Sequence, residues 1–154
     1  MSLHVFPGAP GLIDGLASWI TDAITETLKV SNRFTLALSG GETPRALYKT
    51  LASEPYRGRI DWSKMHIFWG DERFVPFSDE SNNAKMAFET LLSSVAVPQD
   101  HIHKMQTDSS PEEAARDYEE ILHSYFDNSP TSFDLVLLGI GNDGHTLSIF
   151  PLSP

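Results

Sequence analysis

Hydrophobic positions along the chain switch repeatedly between two rhythms. Leu12, Ile13, Leu16, Trp19, Ile20, Ala23, Ile24 and Leu28 recur at helical spacing, which predicts one long amphipathic helix. Phe34–Leu38 is an unbroken apolar run of strand length, stopped by Ser39-Gly40-Gly41. Thr43-Pro44 reads as an N-cap followed by proline at the first helical position, and the helix from Pro44 turns Leu47, Tyr48 and Leu51 inward. Met65–Trp69 is the next strand candidate, ended by Gly70-Asp71. Past Pro76, Ser81 or Asn82 can cap a helix bearing Ala84, Ala87, Phe88, Leu91 and Leu92. Ser110-Pro111-Glu112-Glu113 combines a cap, a first-turn proline and a capping-box Glu, opening a helix that buries Ala114, Tyr118, Ile121, Leu122 and Tyr125. Phe133–Leu138 is a last strand, running into Gly139–His145, and His4–Phe6 and His101–Met105 are short strand candidates.

Strands that alternate with helices predict an α/β fold: a mostly parallel sheet with helices on both faces, a Rossmann-like open sandwich. Ligands of such sheets bind beyond the carboxyl ends of the strands. Three glycine-containing polar loops follow strand candidates, at 39–43, 70–73 and 139–146, and are expected to meet at one crevice. Trp19, Trp62, Trp69 and the phenylalanines are assigned to the core.

Composition narrows the choice of partner. The chain has 154 residues, of which 40% are apolar, enough for a substantial core and too many for a disordered segment. No apolar run is long enough to span a bilayer, and Met1–Pro7 lacks the basic and apolar regions of a secretory signal, so a cytoplasmic location is expected. Eleven basic residues against 21 acidic give a net charge of -10, which repels polyanions; nucleic acid is not an expected partner, nor is a membrane. A small anion would have to be held by backbone N–H groups and a few arginines. There is no cysteine, hence no disulfide, thiolate metal site or cysteine nucleophile, and the composition fits a reducing compartment.

In the first loop, Gly40 and Gly41 allow the backbone to approach a ligand closely. The following helix offers free N–H donors, with Ser39, Thr43 and Arg45 at hand. The loop is therefore either an ordinary strand-to-helix turn or a phosphate cradle. It is not a Walker A loop. In Gly70-Asp71-Glu72-Arg73 the guanidinium can grip an anion, or the three charges can form a solvated turn with an internal ion pair. Gly139, Gly141 and Gly144 spell a formal G-x-G-x-x-G. Asp143 and Pro151 argue against a dinucleotide there, and the sequence holds no acidic residue about 20 positions further on. What the loop does present is Asp143 beside His145, and histidine is the natural general acid/base near neutral pH. His101 and His103 without a third ligand make a poor zinc site.

Together the loops resemble the 6-phosphogluconolactonase family, within the wider group that includes glucosamine-6-phosphate isomerase/deaminase. The resemblance rests on Leu38–Pro44 with Leu47-Tyr48, on Gly70–Pro76 with Ser81-Asn82, and on Asp134–Pro151. It implies hydrolysis of 6-phospho-D-glucono-1,5-lactone to 6-phosphogluconate in the oxidative pentose phosphate pathway, without metal or organic cofactor. His145 would activate water, oriented by Asp143 or Asp71. Ser39, Gly40, Gly41, Thr43, Arg45 and Arg73 would hold the phosphate, and the backbone at Gly141 and Gly144 would face the oxyanion. The deaminases carry an Asn-Glu pair shortly after the Asp-Gly-His, where this chain has Ser148-Ile149-Phe150-Pro151; lactonase is therefore preferred over deaminase. Family members continue beyond the third motif. Residues 1–154 are thus expected to form the N-terminal majority of one lactonase-like domain, as a fragment or as a natural truncation. A truncated chain would act as a sugar-phosphate-binding remnant or as an interaction module, and an exposed sheet edge would favour association.

Overall fold

The computed structural model describes residues 3–126 and 133–151. Its elements in chain order are α1 (Ala9–Thr27), β1 (Phe34–Leu38), α2 (Glu42–Leu51), α3 (Tyr56–Arg59), β2 (Met65–Trp69), α4 (Asn83–Thr90), α5 (Pro111–Tyr125) and β3 (Leu135–Val136). The three strands form a parallel sheet in the order β2-β1-β3. Register runs from Phe34 opposite Met65 to Leu38 opposite Trp69 on one side, and Leu36 opposite Leu135 on the other.

All five residues of β1 are buried, as expected of a central parallel strand covered on both faces. The period of two splits the core accordingly. Phe34, Leu36 and Leu38 join Met65, Ile67 and Trp69 against α1, α2 and α4, while Ala37 and Phe68 face Tyr118 of α5. Helices therefore cover both faces. Burying each of these aliphatic side chains stabilises the fold by roughly 1.5–3 kcal/mol. Thr35, buried on the α5 side, fixes β3: its N–H and hydroxyl both donate to the Asp134 carboxylate at 2.7 Å.

Several expectations are corrected. His4–Phe6 is not a strand; it has no backbone to pair with, and the Phe6 ring packs over Gly15 of α1. His101–Met105 is reduced to a single parallel bridge between Ile67 and Ile102, because a turn at Gln99–His101 takes up its start. The last strand keeps two residues of the expected six, since it pairs only with β1. Thr43 is not the N-cap of α2. Gly41 is, at φ 107, a left-handed conformation that glycine tolerates, and Pro44 falls in the first turn at N3. Trp19 is half exposed on the outer side of α1, and Phe74, Phe77 and Phe150 are also exposed rather than core. The caps expected at Asn82 and Ser110 are present, the second as a full capping box with Glu113.

Candidate functional site

The two long strands end in the same way. Ser39, just past β1, has its N–H and C=O both taken by the hydroxyl of Tyr48 from α2, at 3.0 and 2.7 Å. Trp69, the last residue of β2, is held identically by Tyr118 from α5, at 2.9 and 3.0 Å. Burial pushes both phenols up, Tyr118 to about 12, so each keeps the proton it donates. The loops that leave these strands therefore start from fixed points.

Beyond Ser39 the chain turns through Gly40 and Gly41 into α2, whose first turn has no side-chain cap, so its N–H groups are open to an anion. A Cβ on Gly40 would collide with the Asn83 amide and the Arg73 guanidinium. The diglycine backbone thus lies against Arg73 itself.

The side chains of Asp71, Glu72 and Arg73 form no ion pair with one another, although the Arg73 backbone N–H donates to Glu72 Oε1 at 2.8 Å. Glu72 caps α4, accepting from the backbone N–H groups of Asn83 and Ala84 at 2.7 and 2.8 Å. Asp71 accepts from the Ser148 hydroxyl at 2.9 Å. The Arg73 guanidinium donates to Asn83 Oδ1 at 2.8 Å and has no carboxylate partner among the described residues. It is left without an ion pair beside the diglycine turn, with the Asp71 carboxylate on the wall of the same cleft.

In the third loop the Asp143 carboxylate meets His145 Nδ1 at 2.5 Å, and hydrogen bonds from the ring and backbone of His145 hold that carboxyl below the ordinary carboxylate range. The pairing favours the tautomer with the proton on Nδ1 and a basic lone pair on Nε2. Gly141 has no room for a side chain, because a Cβ would strike the His145 ring, and Gly144 turns at φ 89. Leu147 is the only non-glycine among the described residues with positive φ, at 51, and its side chain covers Gly70.

All three loops line one cleft of about 200 Å³, with Ser39, Gly40, Gly41, Asp71, Arg73, Gly141, His145 and Leu147 on its walls. Thr43, Arg45, Asp143 and Gly144 are outside that lining. Thr43 is exposed, and Arg45 is drawn to Glu42 on the outer side of α2 at 3.5 Å. Asp143 acts on the cleft only through His145. A larger apolar groove of about 710 Å³ runs between α5 and Phe74 but contains none of the glycine turns and not His145. No cluster of three metal-ligating side chains occurs among the described residues; His66, His101 and His103 instead stack ring on ring. Sequence reading missed Asn83 and the strand-end role of Tyr48 and Tyr118. A tyrosine in the inward register of a helix beside a strand end was the available signal for the latter.

The model of the family described as glucosamine-6-phosphate isomerases/6-phosphogluconolactonase matches residues 8–154, and the chain belongs to that family. It is 38% identical to a 6-phosphogluconolactonase of a Nostoc species, over 97% of this chain and 62% of the relative. With a 6-phosphogluconolactonase of Synechocystis the identity is 41%, over 93% of this chain and 60% of the relative. Among solved structures it resembles the 6-phosphogluconolactonase of Trypanosoma brucei, with TM-score 0.82 and 30% identity over 97% of this chain and 63% of the other. The Thermotoga maritima enzyme of the same name gives TM-score 0.81 and 32% identity, over 91% and 61%. The chain thus spans about three fifths of the length of these relatives.

Proposed function

We propose that the protein hydrolyses 6-phospho-D-glucono-1,5-lactone to 6-phosphogluconate. One observation carries the reading: a guanidinium without an ion pair, a diglycine turn at an open helix start and a carboxylate-oriented imidazole face the same small cleft. The first two suit a phosphate ester, held by Arg73 and backbone N–H groups at Gly40, Gly41 and the start of α2. The imidazole suits the chemistry at the lactone carbonyl. His145 Nε2 takes a proton as water attacks C1, and the charge gathering on the carbonyl oxygen is met by N–H groups at Gly139 and Ile140, which line the cleft. Those of Gly141 and Gly144, expected to face the oxyanion, are already donated to the carbonyls of His145 and Gly141. Collapse of the tetrahedral intermediate breaks the bond from C1 to the ring oxygen, and the imidazolium returns its proton to that oxygen. Asp143 holds the ring in the useful tautomer and balances its transient charge. Asp71, bonded to Ser148, ties the histidine loop to the anion side rather than touching the imidazole.

No helix among the described residues is long and apolar enough to cross a membrane. A cytoplasmic location is part of the same proposal, supported by the cysteine-free composition.

The test uses lactone generated in situ by a dehydrogenase, with acid release followed against the spontaneous rate. His145→Ala and His145→Asn are expected to lose about 10²–10⁴-fold in kcat while still binding a phosphosugar. A mutant as fast as the parent would remove His145 from the reaction. Ammonia release from glucosamine 6-phosphate would instead indicate a deaminase, and binding without either turnover a non-catalytic sugar-phosphate binder.

A further inference from the structure

Arg73 is exposed, yet its guanidinium is held by a residue that is almost wholly buried. Asn83 is 3% exposed and stands at the first position of α4, with its backbone N–H donated to Glu72 Oε1 at 2.7 Å. Its side-chain amide donates to the Asp71 carbonyl at 3.2 Å and, more weakly, to the Asp71 carboxylate at 3.4 Å, which turns Oδ1 towards Arg73 Nη1, 2.8 Å away. The pair lies so close to Gly40 that any side chain there would displace it. A long, flexible arm is thereby fixed against the diglycine turn by a neutral acceptor.

Neutrality matters. An arginine is most often positioned by a carboxylate, which would cancel the charge and occupy two donors. An amide oxygen takes one donor and leaves the full positive charge on a residue that lines the cleft. In a chain of net charge -10 this is a local exception to the average field.

We infer that Asn83 is a positioning residue for anion recognition, holding Arg73 in place without neutralising it, and so selects substrates that carry a phosphate. This rests on the reading of the cleft as a phosphate-ester site. It separates two roles by their response to substitution. For a purely structural residue, Asn83→Asp keeps the size and the acceptor and does less harm than Asn83→Ala. For a residue that must preserve charge, Asn83→Asp does more harm.

The experiment titrates the 154-residue chain and both variants with inorganic phosphate, read by calorimetry or NMR shifts, after circular dichroism has shown that they fold. Asn83→Ala is expected to weaken phosphate several-fold and Asn83→Asp by about tenfold or more, consistent with the strength of a charged hydrogen bond. With lactone, the same order is expected in KM, and kcat is expected to change little. Asn83→Asp binding phosphate as well as or better than Asn83→Ala, or a wild-type chain that binds none at millimolar concentration, would overturn the inference. If Asn83→Asp does not fold, Asn83→Ala decides: unchanged affinity overturns it, and a several-fold loss supports it. Phosphate binding that depends on residue 83 in a chain without lactone turnover keeps the inference and removes the lactonase reading. Turnover with binding indifferent to residue 83 does the reverse.

Discussion

The two sides of the cleft are built differently. On the anion side, Ser39, Tyr48 and Asn83 are all less than a tenth exposed, and every loop departs from a strand end locked by a buried hydroxyl. On the histidine side, the chain from Gly139 to Phe150 lies on the surface, with Ile140, Ile149 and Phe150 at least half exposed. That stretch is held by the Asp71–Ser148 hydrogen bond, the packing of Leu147 over Gly70 and a short bridge between Thr146 and Ile149. The ring of Phe150 lies 4.8 Å from that of His145. On the proposed reading, recognition is built into the core and proton transfer hangs on a few surface contacts. Substitutions on the first side should cost stability, and on the second should cost rate.

The sharpest break would come at Asp143. Asn in its place can present an amide donor to Nδ1 and favour the wrong tautomer, so kcat should fall by about 10²-fold or more, with KM and melting temperature nearly unchanged. Steady-state kinetics beside a thermal melt checks this, and a loss of stability without loss of rate would erase the contrast. Next is Tyr48→Phe, which leaves the Ser39 N–H and C=O without a partner inside the core. We expect about 2–3 kcal/mol of destabilisation in a urea titration.

A smaller effect belongs to the histidine stack on the α5 face. Burial, together with His101, His103 and Arg33, pulls His66 down to about 4, against a weaker opposing pull from Asp100; burial lowers His103 as well. A group depressed in the folded state binds more protons when unfolded. Stability is therefore full above about pH 6.5 and falls as pH drops towards 4, by roughly 1–2 kcal/mol at pH 5 after allowance for solvent. His66→Phe should flatten that dependence in denaturation curves recorded at several pH values. The smallest change is Ser148→Ala, which frees the loop from Asp71. A few-fold loss of kcat with unaltered phosphate affinity is expected from a single exposed hydrogen bond.

Much of this arrangement was legible in the sequence. Phe34–Leu38 is fully covered and Met65–Trp69 is buried except at half-buried His66, and continuous apolar runs announce such strands directly. Ser110 and Glu113 sit at capping-box spacing, a local signal that tertiary contacts do not override. The weak strands failed because pairing is not local: Leu135 finds a partner in Leu36, and His4–Phe6 finds none. Thr43 misled because serine-like caps are common, whereas the turn needed a backbone that Gly41 alone provides there. Loop positions named Ser39, Gly40, Asp71, Arg73 and His145 together, but Asn83 could not be singled out. Its importance lies in the directions its amide points, and a neighbour in sequence, Asn82, already explained the helix start.

The paired tyrosine hydroxyls have one more consequence. Each is supplied by a helix from a different layer, Tyr48 from one face of the sheet and Tyr118 from the other. A ligand arriving at the cleft meets walls whose spacing was decided when those layers docked, so little ordering entropy is left to lose on that side. Evolution or engineering that repacks either layer would therefore alter affinity from a distance, without touching a single residue that a ligand meets.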